Sequence, residues 1–302
     1  MTQPTFTGAF TALVTPFRDG AVDVEALRAL VEAQIAGGID GLIPCGTTGE
    51  SVTLSAAEHA LVVRTVVAQA ARRVPVVAGA GSVSTAHAIE LAHASRAAGA
   101  DGLLVVVPYY NKPTQAGLVA HYRALLRAVP MPTILYNIPG RCGVDLGLEA
   151  MAQLADVPEI VAVKEATGNV LRSQALVARF GDRFSVLSGD DALTLPILAV
   201  GGAGVISVTS NLLPRAVSDV VRLWRGGDVA GARALHQRLL TVHEVMFVES
   251  NPGPVKAALA QAGRIAPEVR LPLAWPGEAA CRQVAEVLAA SGFARDVGAA
   301  SS

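Results

Sequence analysis

Lysine is scarce in this chain: of 24 cationic residues only Lys112, Lys164 and Lys256 are lysines, and the others are arginine. Lys164 closes the apolar run EIVAVK. Such a run reads as a β-strand, which carries the lysine stem to the rim of whatever the strand helps to build. Desolvation there favours the neutral amine, which can attack a carbonyl and form a Schiff base. Arginine cannot replace it, because its guanidinium stays protonated. A buried ion pair with Glu165 or Asp190 explains a lysine at this place equally well. Tyr136 ends the preceding run, PTILY, and so belongs beside Lys164, where a phenol can shuttle protons; the alternative is an aromatic that caps the core. The turn GTTGES, residues 46–51, offers the hydroxyls of Thr47 and Thr48 and several backbone N–H groups, a set suited to a carboxylate but also to a plain turn. Arg141 follows Pro139-Gly140 on a loop lip, where a guanidinium can hold a carboxylate at two points or form a salt bridge to a neighbouring loop.

Other polar features carry less. His236 and His243 are seven apart on one helix, about 10.5 Å by helical rise, which is too far to share a metal directly. Asp190-Asp191 reads as a helix start. GGAG at 201–204 precedes a strand, and GAGS at 79–82 lacks the glycine spacing of a dinucleotide fingerprint. Cys45, Cys142 and Cys281 show no CxxC spacing, which argues against a zinc site or a disulfide framework. No metal or organic cofactor is expected.

The elements that must position these groups repeat. Strand-like runs at 8–15, 39–44, 75–79, 102–107, 132–136, 160–164, 184–188 and 204–208 are nearly continuous in apolar residues, as parallel strands covered on both faces should be. Helical patterns follow at 23–36, 55–71, 84–98, 115–128, 147–155, 170–180, 190–200 and 213–225, with Ser55, Ser84 and Asp190 as N-caps. Eight such units predict an α/β fold of the (β/α)8 TIM-barrel type over residues 1–226. Residues 227–302 read as a C-terminal helical domain with helices at 228–247, 254–262 and 278–290. In a barrel the chemistry sits just after the strands, and the sequence there is conspicuously polar.

With 52% hydrophobic and 16% charged residues the chain is far too apolar for disorder. Its net charge of −1, with the cations scattered, argues against a nucleic-acid partner. Residues 192–214 carry no charge over a length that spans a bilayer, but Pro196, Gly201-Gly202 and Thr209-Ser210-Asn211 break them into a buried helix and a buried strand. With no secretion-signal pattern at the N-terminus, the cytoplasm is the expected location.

Seven segments in order, GTTGES (46–51), PYYNKPTQ (108–115), YNIPGR (136–141), VKEATGN (163–169), SGDD (188–191), GVISVTSN (204–211) and ESNPGPVKAAL (249–259), resemble the pyruvate-dependent class I aldolase and lyase family, which includes N-acetylneuraminate lyase. The resemblance runs from about residue 6 to residue 290. It implies that Lys164 forms the Schiff base with pyruvate, and that Tyr136, Thr47 and Tyr110 form a proton relay, Tyr110 being supplied by a neighbouring subunit. It further implies that Thr48 holds the pyruvate carboxylate, that Arg141 holds the carboxylate of aspartate semialdehyde, and that the carbonyls of Gly189 and Ile206 line the pocket. The expected reaction is condensation of the pyruvate enamine with the semialdehyde, then transimination and cyclisation, at the opening of lysine and diaminopimelate synthesis. The expected assembly is a homotetramer built as a dimer of dimers. Members that cleave sialic acid or keto-deoxy sugar acids share the lysine and tyrosine, but sialic acid lyases have Ser-Thr in the turn and lack the lip arginine. A non-enzymatic barrel would have lost Lys164 or Tyr136.

The chain departs from the family where lysine-inhibited members bind lysine. Ser51, His59 and Tyr109 match, but Val83 and His87 stand where an amide and a carboxylate are usual, and Ala56 where a histidine is frequent. Weak or absent feedback by lysine follows. Gly253 replaces a bulkier aliphatic residue, with no functional reading attached.

Overall fold

The computed structural model describes residues 6–293. Eight parallel strands form the barrel: β1 (Gly8–Ala12), β2 (Gly41–Ile43), β3 (Val77–Gly79), β4 (Gly102–Val106), β5 (Thr133–Asn137), β6 (Ile160–Glu165), β7 (Ser185–Ser188) and β8 (Gly204–Ser207). Each pairs with its sequence neighbour, and β8 pairs with β1. The seam between β2 and β3 is joined by a Leu42–Val76 bridge, with Leu42 N donating to Pro75 O at 3.0 Å and Gly79 N to Pro44 O at 2.9 Å.

The intervening helices are α1 (Val24–Ala36), α2 (Ala56–Ala70), α3 (Thr85–Ala97), α4 (Gln115–Ala128), α5 (Leu148–Leu154), α6 (Val170–Phe180), α7 (Thr194–Ala199) and α8 (Pro214–Arg225). Their starts are written locally. Ser55 and Glu58 form a reciprocal capping box at α2, and Ser84 accepts from His87 N at α3. Asp190 caps a 3₁₀ turn, Asp191–Leu193, that precedes α7. A small antiparallel hairpin, Phe17–Arg18 with Ala21–Val22, and a one-turn helix, Pro139–Cys142, lie within loops that sequence periodicity leaves blank. Three more helices follow the barrel: α9 (Val229–Val245), α10 (Gly253–Gln261) and α11 (Glu278–Ala290).

Strand side chains alternate between two separate cores, as a closed parallel barrel requires. Phe10, Ile43, Val77, Leu104, Ile134, Ala162, Leu187 and Ile206 fill the lumen, while Leu42, Leu103, Leu135, Val163 and Val205 face the helices. Asn211 ties the barrel's closure together. Its amide donates to Ala12 O at 2.8 Å and to Val208 O at 2.9 Å, and its Oδ1 accepts from Val14 N at 3.0 Å. The uncharged stretch 192–214 is divided between α7 and β8, and no helix among the described residues is long and apolar enough to cross a membrane.

Candidate active site

The lumen alternation sets the two central groups. On β5, Ile134 and Tyr136 point inward; on β6, Ala162 does, so Lys164 two residues later does too. Tyr136 and Lys164 are direct cross-strand partners at the C-terminal rim, and Lys164 Nζ lies 4.2 Å from the centre of the Tyr136 ring. Both side chains are about 5% exposed. Burial pulls the Lys164 amine down to about 8; Asp191 opposes the shift and the Arg141 cation adds to it. Burial pushes the Tyr136 phenol up to about 12, opposed by Arg141 and by a hydrogen bond with Thr47. The lysine is therefore partly neutral near pH 8, while the phenol keeps its proton to give.

Neither carboxylate considered from sequence pairs with Lys164. Glu165 accepts from Arg172 Nε at 3.0 Å, Asn137 Nδ2 at 3.3 Å and Thr167 N at 2.9 Å, and Asp190 accepts from Ala192 N. Among the described residues no ion pair engages Lys164.

The GTTGE turn packs against the rim beside them. Cys45 and Glu50 bracket it with φ of 56° and 53°, left-handed conformations that cost about 1–3 kcal/mol each in non-glycine residues and persist only where neighbours over-determine them. Thr15 Oγ1 donates to Gly49 O at 2.8 Å, and Asn251 Nδ2 donates to Thr48 Oγ1 at 3.0 Å. The Glu50 carboxylate accepts from Lys256 Nζ at 2.6 Å and from Arg270 N at 2.9 Å. The turn approaches β3 so closely that a Cβ on Gly79 would lie 1.9 Å from Cys45 O.

A cavity of about 220 Å³ opens over this rim, with Gly46, Thr47, Tyr136, Ile138, Arg141, Ser51, Val52, Gly81 and Tyr109 in its lining. Arg141 sits on the one-turn helix Pro139–Cys142, exposed at the lip as its place in the sequence predicts. Thr48, Lys164, Gly189 and Ile206 are not in the cavity wall. Tyr136 belongs to the wall and to the Lys164 contact at once. Gly189 follows β7, its N–H bonded to Glu165 O at 2.7 Å, and Ile206 is fully buried in the lumen on β8. Tyr110 stands apart from the cavity, 89% exposed, on a backbone with φ of 69°.

Ser51, Val52, Gly81 and Tyr109 thus line the same cavity as Thr47, Tyr136 and Arg141. His59, 2% exposed, donates through Nε2 to the carbonyl of Gly79, a lining residue, at 2.7 Å. Val83 and His87 are exposed, and the His87 ring pairs with Glu90 at 3.0 Å.

Three sequence readings change in detail. The His236 and His243 rings lean together, with centroids 5.7 Å apart, which a helical rise measured along the backbone does not anticipate. His236 nonetheless bonds Ala192 O and His243 bonds Thr209 Oγ1, and no group of three or more His, Cys, Asp and Glu side chains among the described residues is placed to hold a metal. Asp190-Asp191 is a helix start, as read from the sequence, and Asp191 is in addition a buried acceptor for Ser207 Oγ, Val208 N and Thr209 N. Gly253 has a packing reason: a Cβ there would lie 2.9 Å from the Pro276 ring.

Sequence reasoning placed Lys164, Tyr136, Thr47 and Arg141 on one rim, where the structure brings them together. It missed Asn251, Lys256 and Arg270, which reach the turn from residues beyond the barrel. The scarcity of lysine was the available signal for Lys256.

A (β/α)8 barrel with a desolvated lysine, in no ion pair among the described residues, beside a tyrosine at its C-terminal rim defines a Schiff-base aldolase architecture. Residues 5–291 match the model of the dihydrodipicolinate synthetase family, and the chain belongs to that family. It is 58% identical over 291 residues to the 4-hydroxy-tetrahydrodipicolinate synthase of Sorangium cellulosum, covering 95% of this chain and 97% of that protein. The 4-hydroxy-tetrahydrodipicolinate synthase of Methylacidiphilum fumariolicum superposes with a TM-score of 0.94 at 44% identity, covering 97% of this chain and 98% of that one. A chloride-inhibited dihydrodipicolinate synthase from Acinetobacter baumannii, solved with pyruvate, superposes with a TM-score of 0.93 at 43% identity, covering 95% and 99%.

Proposed function

We propose that this protein is a 4-hydroxy-tetrahydrodipicolinate synthase that condenses pyruvate with aspartate semialdehyde through a Schiff base on Lys164. The observation that carries the reading is the buried Lys164 amine, free of any carboxylate partner among the described residues and 4.2 Å from the Tyr136 ring centre. The neutral amine adds to C2 of pyruvate, forming the C–N bond, and the carbinolamine loses water to give an iminium. Loss of a methyl proton gives the enamine, whose carbon attacks the aldehyde carbon of the semialdehyde. The semialdehyde's amino group then displaces Lys164 at the former C2 and closes the ring.

Tyr136 supplies and receives the protons of these steps, and Thr47 hydrogen-bonds to it. Thr48 donates to the pyruvate carboxylate, the carbonyls of Gly189 and Ile206 line the inner wall, and Arg141 holds the semialdehyde's carboxylate at the lip. Tyr110, too exposed to serve its own cavity, completes the relay in a neighbouring copy, within a homotetramer built as a dimer of dimers. The covalent bond to Lys164 takes the place of a cofactor, and the cytoplasm is the proposed location. Arg141 and Thr47-Thr48 favour this reaction over sialic acid or keto-deoxy sugar acid cleavage.

The direct test is peptide mapping after incubation with pyruvate and borohydride, followed by assay with aspartate semialdehyde. An adduct on Lys164 and ring-closed product are expected. A folded chain that forms no adduct would overturn the reading, and an adduct without turnover of the semialdehyde would move the function to another pyruvate aldolase.

A further inference from the structure

The C-terminal helices are conventionally cover for a barrel, but here they bond the turn that carries Thr47 and Thr48. Lys256, on α10, is fully buried, its Nζ 2.6 Å from Glu50 Oε1 and 4.4 Å from the Phe17 ring centre. The other Glu50 oxygen accepts from Arg270 N, and the Arg270 guanidinium lies 4.2 Å from the same ring. Glu50 in turn closes the turn, its N–H donating to Thr47 O at 3.0 Å. Two residues before α10, Asn251 donates to Thr48 Oγ1.

We propose that Lys256, acting through Glu50, and Asn251, acting on Thr48, are positioning residues that hold the turn in the shape needed to grip the pyruvate carboxylate. The inference rests on the function proposed above. A buried charge pair is a poor source of net stability compared with apolar packing of the same volume. What this pair supplies is direction: it fixes a glutamate whose backbone is left-handed, one peptide beyond Gly49. Asn251 adds chemistry as well as place. Once the amide N–H occupies a lone pair of the Thr48 hydroxyl, that hydroxyl keeps its own proton for donation to an anion. The other end of the amide, Oδ1, is buried without a partner among the described residues, so truncating Asn251 removes this hydrogen bond from the turn.

The test uses the full chain and the rate at which borohydride traps adducts on Lys164. Pyruvate is compared with acetone, a ketone without a carboxylate. In the double variant Glu50→Gln/Lys256→Met, which leaves no unpaired charge, the pyruvate rate is expected to fall about tenfold while the acetone rate stays within about twofold. Unchanged rates for both ketones, or an equal fall for both, would overturn the proposal, since a merely structural role moves them together. If the double variant does not fold, Asn251→Ala decides: it is expected to lower the pyruvate rate alone, and equal behaviour of the two ketones refutes the idea. Native protein that traps acetone but not pyruvate would refute the function itself, an outcome distinct from variants that match a reactive native enzyme.

Discussion

Two buried lysines sit within one molecule under opposite conditions. Lys164 stands in the barrel lumen with an aromatic face for company and no carboxylate in ion-pairing reach among the described residues. Lys256 stands outside the barrel wall, also against an aromatic ring, but 2.6 Å from the Glu50 carboxylate. Burial pulls both amines below the ordinary lysine range, and only at Lys256 does a bonded carboxylate oppose it. Burial alone therefore does not make a nucleophile. On the proposed roles the partner decides: an ammonium held by a glutamate anchors structure, and one left without a partner gives up its proton and reacts.

The same substitution at both sites tests that contrast. Lys164→Met is expected to abolish the pyruvate adduct and lower turnover by at least about 10⁴-fold, read by mass mapping and steady-state assay. Any adduct on another residue would remove Lys164 from its role. Lys256→Met leaves Glu50 buried without its cation, and a loss of about 3–5 kcal/mol is expected in denaturant unfolding; a melt like the native protein's would show that the pair is dispensable.

A pH profile sharpens the contrast further. The rate of adduct formation is expected to rise about tenfold per pH unit up to about 8 and then level, as the Lys164 amine loses its proton. A flat profile between pH 6 and 8 contradicts a free amine there.

Stability should move oppositely at Lys164. Its folded value, about 8, lies below the ordinary lysine value of 10.5, so between those limits the unfolded chain binds the extra proton and stability rises with pH. Below about 8 both states are protonated and the full cost remains. Lys164→Met at pH 7 is thus expected to stabilise the protein, on the order of 1–3 kcal/mol, and thermal unfolding that shows a loss would contradict it. The smallest effect concerns feedback. With Val83 and His87 where an amide and a carboxylate are usual, and His87 turned to Glu90, half-inhibition by lysine is expected only above about 1 mM, for want of a charge-assisted hydrogen bond. A sub-millimolar value would restore the regulatory cleft.

Much of this was legible in the chain. Continuous apolar runs such as GLLVVV mark strands buried on both faces, and the residue closing each run falls at the rim, which is why Lys164 and Tyr136 could be placed side by side. Periodicity carries no such information for long-range bonds. Asn251 meets Thr48 across 203 residues and Lys256 meets Glu50 across 206, distances over which no local pattern links partners. The one-turn helix under Arg141 was missed because Pro139-Gly140 reads as a turn whether or not a single helical turn follows. The lean of His236 toward His243 was missed because helical rise locates backbones and not ring tips.

The placement of Asn251, Lys256 and Arg270 has a consequence for the chain while it is being made. All eight strands leave the ribosome before these three residues do, so the turn after β2 lacks its far-side bonds until after the whole sheet is made. On the proposed role of those bonds, full reactivity toward pyruvate arrives last, with the emergence of α10 and the segment that follows it.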